Sequence, residues 1–106
     1  MPGRKVRRVS AVQLRRMFNE GRYYERLRAG EFVAYLTYDK HPCPEGAGEE
    51  YCTRSQLVKY VDLQEGRTVA EVHQYLRKDC AIGASGKPDP KSLIQGRTVY
   101  RVELED

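Results

Sequence analysis

Apolar and polar positions alternate most regularly between Gln56 and Arg77. The stretch reads Gln-Leu-Val-Lys-Tyr-Val-Asp-Leu, then Gln-Glu-Gly, then Arg-Thr-Val-Ala-Glu-Val-His-Gln-Tyr-Leu-Arg. A period of two is that of a half-buried strand, and the turn at Gly66 joins the two runs into a predicted β-hairpin. Successive strand side chains point to opposite sides, so Ala70, Val72 and Leu76 share one face. Glu71, His73, Tyr75 and Arg77 share the other. Tyr60 and Asp62 of the first arm are expected beside them.

Upstream the period changes. Leu14, Met17 and Phe18 recur at helical spacing with Arg15 and Arg16 outside the stripe, and Ser10 with Gln13 has capping-box spacing. These predict a helix from Ala11 to Asn19 or Glu20. Gly21 interrupts it, helical turns follow from Arg22 to Ala29, and Gly30 sits where a left-handed cap is wanted. The pattern fits one kinked helix or two short ones equally. Glu31 to Tyr38 is rich in β-branched and aromatic residues and predicts a strand. Phe32, Ala34, Leu36 and Tyr38 form its expected core face. Residues 39–54 hold two prolines and two glycines and predict a long loop. Ala81 to Lys91 carries Pro88 and Pro90 and predicts irregular chain, with a short turn at Ser92 to Ile94. Arg97 to Glu103 alternates again and predicts the last strand.

The fold class these elements predict is α+β: an N-terminal helix or helices packed on one face of a four-stranded, mainly antiparallel sheet. Residues 1–9 are expected as a basic flexible leader and 10–106 as a single domain. Such a sheet leaves its second face open. Tyr35, Tyr60, Asp62, Glu71, His73, Tyr75 and Arg101 are expected there.

Composition narrows the class. A chain of 106 residues, 40% hydrophobic and 32% charged, suits one soluble domain with a modest core. No apolar run approaches the roughly 20 residues of a membrane span. No apolar stretch follows the basic start, as a secretory signal would require. A cytoplasmic, bacterial setting without a membrane partner is expected. The net charge of +4 is uneven, because the first 28 residues hold nine Arg or Lys against Glu20 and Glu25. A basic arm on a nearly neutral body suits a polyanion such as RNA or DNA. Arg7, Arg8, Arg15, Arg16 and Arg22 are the candidate phosphate contacts. Tyr35, Tyr60 and Tyr75 are the candidate stacking platforms. The competing reading of the same charges is a solvated helix face behind the leader.

Two further classes follow from the hairpin. RNA cleavage through the neighbouring 2′-hydroxyl takes a base, an acid and a cation, and no metal. Glu71 is the candidate base, His73 the candidate acid, and Arg77 or Arg101 the phosphate ligand. Tyr60-Val61-Asp62, the turn at Gly66, Glu71 and the run Lys87-Pro88-Asp89-Pro90-Lys91 resemble the hairpin and proline-rich tail of the ribonuclease domain of rRNA-cleaving colicins. The resemblance implies roles for Asp62 and Glu71. It departs where that family has a catalytic histidine, since Leu63 to Ala70 contains none. The other class is an interaction module, a homodimer through the tyrosine-rich face or an edge strand.

Metal and thiol chemistry have thin support. His41, Cys43 and Cys52 follow none of the usual zinc spacings. An odd count of three cysteines, Cys43, Cys52 and Cys80, argues against a disulfide framework. Gly83-Ala84-Ser85-Gly86-Lys87-Pro88 lacks the spacing and hydroxyl of a phosphate loop. No metal, and no small-molecule cofactor, is expected.

Overall fold

The computed structural model describes residues 4–40, 53–83 and 86–102. It contains β1 (Lys5–Val9), α1 (Ala11–Glu20), α2 (Tyr23–Arg28), β2 (Phe32–Lys40), β3 (Arg54–Asp62), β4 (Arg67–Leu76), β5 (Asp89–Gln95) and β6 (Thr98–Val102). The strands form one six-stranded sheet in the order β1-β6-β5-β4-β3-β2. β1 runs parallel to β6, and every other pairing is antiparallel.

The four-stranded, mainly antiparallel sheet is therefore corrected to a six-stranded mixed sheet. Both additional strands come from stretches whose sequence hides them. Lys5–Val9, expected within the leader, carries three cations in five positions and has little apolar signal of its own. It becomes a strand because β6 offers it a free edge, with Lys5 opposite Thr98 and Val9 opposite Val102. Asp89–Gln95, expected as loop and turn, contains Pro90. The register slips between Glu71 and Val72 opposite that proline, and a bulge is one of the few places where a sheet accepts a residue without an N–H.

The helices form as their pattern requires. The Ser10 hydroxyl accepts from the Gln13 N–H at 3.1 Å and caps α1. Gly21 separates the two helices, and a Cβ there would lie 2.5 Å from Cε2 of Tyr23. The ring of Tyr23 thus lies against bare backbone. Arg22 follows in the left-handed region at φ 55°, a strained conformation for a side chain with a Cβ.

The core lies between the helices and one face of the sheet. Leu14, Phe18 and Tyr23 meet Phe32, Val58, Tyr60, Ala70, Val72 and Leu93, all buried. The rings of Phe18 and Tyr23 stack at 5.6 Å, and Tyr60 touches both Phe18 and Phe32. Arg26 caps this group, its guanidinium 4.5 Å from the Phe32 ring centre and its Nε donating to Glu31 at 2.8 Å. Gln56 and Gln74 share the same sheet face, and Nε2 of the half-buried Gln74 donates to Oε1 of the buried Gln56 at 2.9 Å, so that carbonyl has a partner.

The Tyr60 hydroxyl is buried without a hydrogen-bond partner among the described residues. Burial holds this phenol well above its ordinary range, and the neighbouring Tyr24 adds to the effect. Replacing it by phenylalanine removes the unsatisfied group and keeps the ring. Tyr60→Phe is expected to raise unfolding stability by about 1 kcal/mol. Gly21→Ala is expected to lower it by about 1–3 kcal/mol, because the new methyl overpacks the Tyr23 ring. Urea unfolding midpoints check both; a destabilised Tyr60→Phe would mean that the hydroxyl has a partner.

Candidate functional site

Register determines which side chains share the face away from the helices. One row of cross-strand partners traverses all six strands: Arg8, Arg101, Ser92, Glu71, Lys59 and Tyr35. The next row runs Asp89, His73, Leu57 and Tyr38, and a third runs Tyr75, Ser55 and Lys40. The row positions come from alternation, in which Ala70 and Val72 turn to the core while Glu71 and His73 turn away. The open face thus presents Arg8, Arg101, Lys59 and Lys40 together with Tyr35, Tyr38 and Tyr75.

Its electrostatics are unbalanced. Among the described residues, Arg8, Lys40, Lys59, Arg101 and Glu71 form no ion pair. Arg8 and Arg101 are direct cross-strand neighbours, about 5 Å apart in backbone spacing. Like charges in that position repel unless an anion lies between them. Tyr35 and Tyr38 are 53% and 52% exposed, which leaves their rings available for stacking.

His73 sits in the most structured part of this face. Its Nε2 lies 2.8 Å from the Ser55 hydroxyl, and its ring meets Tyr75 edge-on at 4.7 Å. Burial lowers the imidazole below its ordinary value, Lys91 lowers it further, and Asp89 partly opposes them. The ring is therefore neutral at pH 7, an acceptor or base rather than a standing acid. A cleft of about 600 Å³ opens beside it, lined by Arg15, Asn19, Tyr75, Lys87 and Lys91 among others. Asp89 bridges two of these cations, Arg15 at 3.3 Å and Lys91 at 3.2 Å.

The residues singled out from sequence separate into several places. Tyr35, Glu71, His73, Tyr75, Arg101 and Arg8 share the open face. Tyr60 does not: it pairs with Ala70 and lies fully buried in the core. The expectation that placed it beside His73 is corrected, because the odd-numbered positions of β3, not the even ones, face outward. Asp62 belongs to the hairpin turn, where its Oδ1 accepts from the N–H groups of Gln64 and Glu65. Arg77 lies past the end of β4, its N–H bonded to the Ala81 carbonyl at 2.9 Å. Arg15, Arg16 and Arg22 are on or between the helices, and Arg7 pairs with Tyr100 on the helix side. The arginines expected to act together thus occupy both faces of the sheet.

Sequence reasoning passed over Lys40, Lys59, Tyr38 and Ser55. Lys59 was legible, since it falls between Val58 and Tyr60 in a strictly alternating run. Tyr38 was not, because a bulge between Leu36 and Tyr38 moves it from the expected core face to the open one. Among the described residues no group of three His, Cys, Asp or Glu side chains is arranged to hold a metal. His41, Cys43 and Cys52 lie outside the described residues. Among the described residues no helix is long and apolar enough to cross a membrane. No protein-family model matches the chain, and no curated protein or solved structure matches it significantly.

The lowered value of His73 has a thermodynamic sign. The folded state binds this proton less readily than the unfolded chain, whose imidazole titrates near 6.5. The contribution of His73 to stability is therefore complete above about pH 6.5 and declines as the pH falls toward the folded value. Acidification from about pH 7.5 to 5.5 is expected to lower the urea midpoint, and His73→Gln is expected to flatten part of that decline. An NMR titration with the His73 midpoint above 6.5 would reverse the sign and remove the effect.

Proposed function

We propose that the protein binds single-stranded nucleic acid, RNA foremost, across the open face of the sheet. The supporting observation is the row Arg8–Arg101–Ser92–Glu71–Lys59–Tyr35, in which adjacent arginines lack an acidic partner among the described residues. Phosphates neutralise such a pair, and the face is wide enough for a strand to cross several β-strands. Exposed tyrosines receive bases only when those bases are unstacked from a duplex, which favours a single strand. The stacking group is Tyr35, Tyr38 and Tyr75; the phosphate group is Arg8, Arg101, Lys59 and Lys40.

Strand cleavage by Glu71 and His73 is the neighbouring reading. Both groups lie on this face, but the neutral imidazole is suited to accepting a proton rather than donating one. Binding without cleavage is the expected outcome in EDTA.

Fluorescence anisotropy with a labelled single-stranded RNA tests the proposal. Affinity is expected to fall with salt at a log–log slope of about −2 to −3, as three or four phosphate contacts imply. Arg8→Glu with Arg101→Glu is expected to abolish most binding and to reduce the magnitude of that slope. Tyr38→Ala is expected to cost about 1–3 kcal/mol, roughly tenfold or more in Kd. Arg16→Glu with Arg22→Glu, on the helix side, is expected to leave affinity within a factor of about three. Equal losses from the two arginine pairs would mean that the partner senses only net charge, and the open-face assignment would fail.

A further inference from the structure

Among the described residues, the strands carry two acids on the open face, Glu71 and Asp89. Asp89 is engaged, bridging Arg15 at 3.3 Å and Lys91 at 3.2 Å. Glu71 is not. It is exposed, and among the described residues it forms no ion pair, although Lys59 stands directly opposite it on β3. Its cross-strand neighbour on β5, Ser92, is small and buried. Next along the same face of β4, His73 is turned to Ser55. The middle of the cationic row therefore holds one carboxylate whose two oxygens the described part of the fold leaves unused.

Such a group obstructs a phosphate. Arg101 and Lys59 lie three strand spacings apart, about 14 Å, with Glu71 between them. A nucleic-acid strand whose phosphates rest on those two cations passes over Glu71, which repels a further phosphate at that point. An ionised carboxylate only accepts hydrogen bonds, so the group that lies against it has to be a donor. In a nucleic acid the donors are base edges. Tyr35, in the same row, is two strand spacings from Glu71, about 10 Å, and offers a ring on which that base stacks.

We infer that Glu71 is the base-reading residue of this face and that it selects guanine. The inference rests on the single-strand reading proposed above. Guanine presents two adjacent donors on its Watson–Crick edge, N1–H and the N2 amine, which match the two oxygens of a carboxylate. Adenine and cytosine each present one amine beside a ring nitrogen that is an acceptor, and that acceptor faces the second carboxylate oxygen unfavourably. Uracil presents one N–H between two carbonyls, and both carbonyls oppose the carboxylate. The edge concerned is the one a duplex occupies, so only an unpaired guanine is read.

Fluorescence anisotropy with labelled uridine oligomers whose central base is U, C, A, G or hypoxanthine tests the assignment. The guanine oligomer is expected to bind about tenfold more tightly than the all-uridine one. Hypoxanthine, which keeps N1–H and lacks the N2 amine, is expected to lose most of that advantage. Glu71→Gln replaces one acceptor by a donor at an exposed position; it is expected to cut the guanine preference to about twofold or less and to strengthen binding of the all-uridine oligomer by removing a negative charge. Equal affinity for all five oligomers, with the salt dependence retained, would overturn the guanine assignment and leave the nucleic-acid reading standing. A guanine preference that survives Glu71→Gln would place the reader elsewhere and overturn it too. No binding of any oligomer would defeat the nucleic-acid reading and this inference with it.

Discussion

The interaction on which the rest of the structure depends is the contact among four rings, Phe18, Tyr23, Phe32 and Tyr60. They come from α1, α2, β2 and β3, so one cluster ties both helices to the sheet. Aromatic pairs of this kind add about 0.5–1.5 kcal/mol each beyond the area they bury. In a chain without tryptophan these rings supply the bulk that a small core needs. Their position also decides which sheet face is covered. Because they sit above β2 and β3 on one side, Glu71, His73 and Tyr75 are left on the other.

Much of this was legible in the sequence, and the exceptions have physical reasons. The hairpin from Gln56 to Arg77, the cap at Ser10, the break at Gly21 and the last strand are all written in local periodicity. Strands β1 and β5 are not. One is too charged to betray itself, and the other contains a proline that only a bulge accommodates; both depend on partners distant in sequence. The same distinction governs the candidate site. Glu71 and His73 follow from alternation within one strand. The nearness of Arg8 to Arg101 does not, because no property of either segment reveals their parallel pairing. Tyr60 shows the limit from the opposite direction. Two adjoining arms alternate correctly, yet the phase between them is set by the turn and by the bulge beside Tyr60, not by either arm alone.

The open face also shows how a small protein tolerates local disfavour. Adjacent arginines, a glutamate without an ion pair among the described residues, and half-exposed tyrosines contribute little to folding and in part oppose it. They are carried by a sheet whose other face holds the whole helical core. Surface pairs elsewhere, such as Arg54 with Asp39 at 3.0 Å and Arg67 with Glu65 at 3.3 Å, are exposed and worth at most a few tenths of a kcal/mol to about 1 kcal/mol each. Surface electrostatics therefore add little to how firmly this molecule folds.

The pairing of β1 with β6 carries a consequence for how the chain reaches its native form. Lys5 meets Thr98, so β1 finds its place only once β6, far along the chain, is there to receive it. Closing so long a loop is slow, and contacts of this reach raise the barrier to folding. The middle strands, joined by hairpins, have no such delay. The hairpin of β3 and β4 closes over a short turn, whereas the basic segment Lys5–Val9 gains its pairing, and the row its Arg8, only through the distant β6.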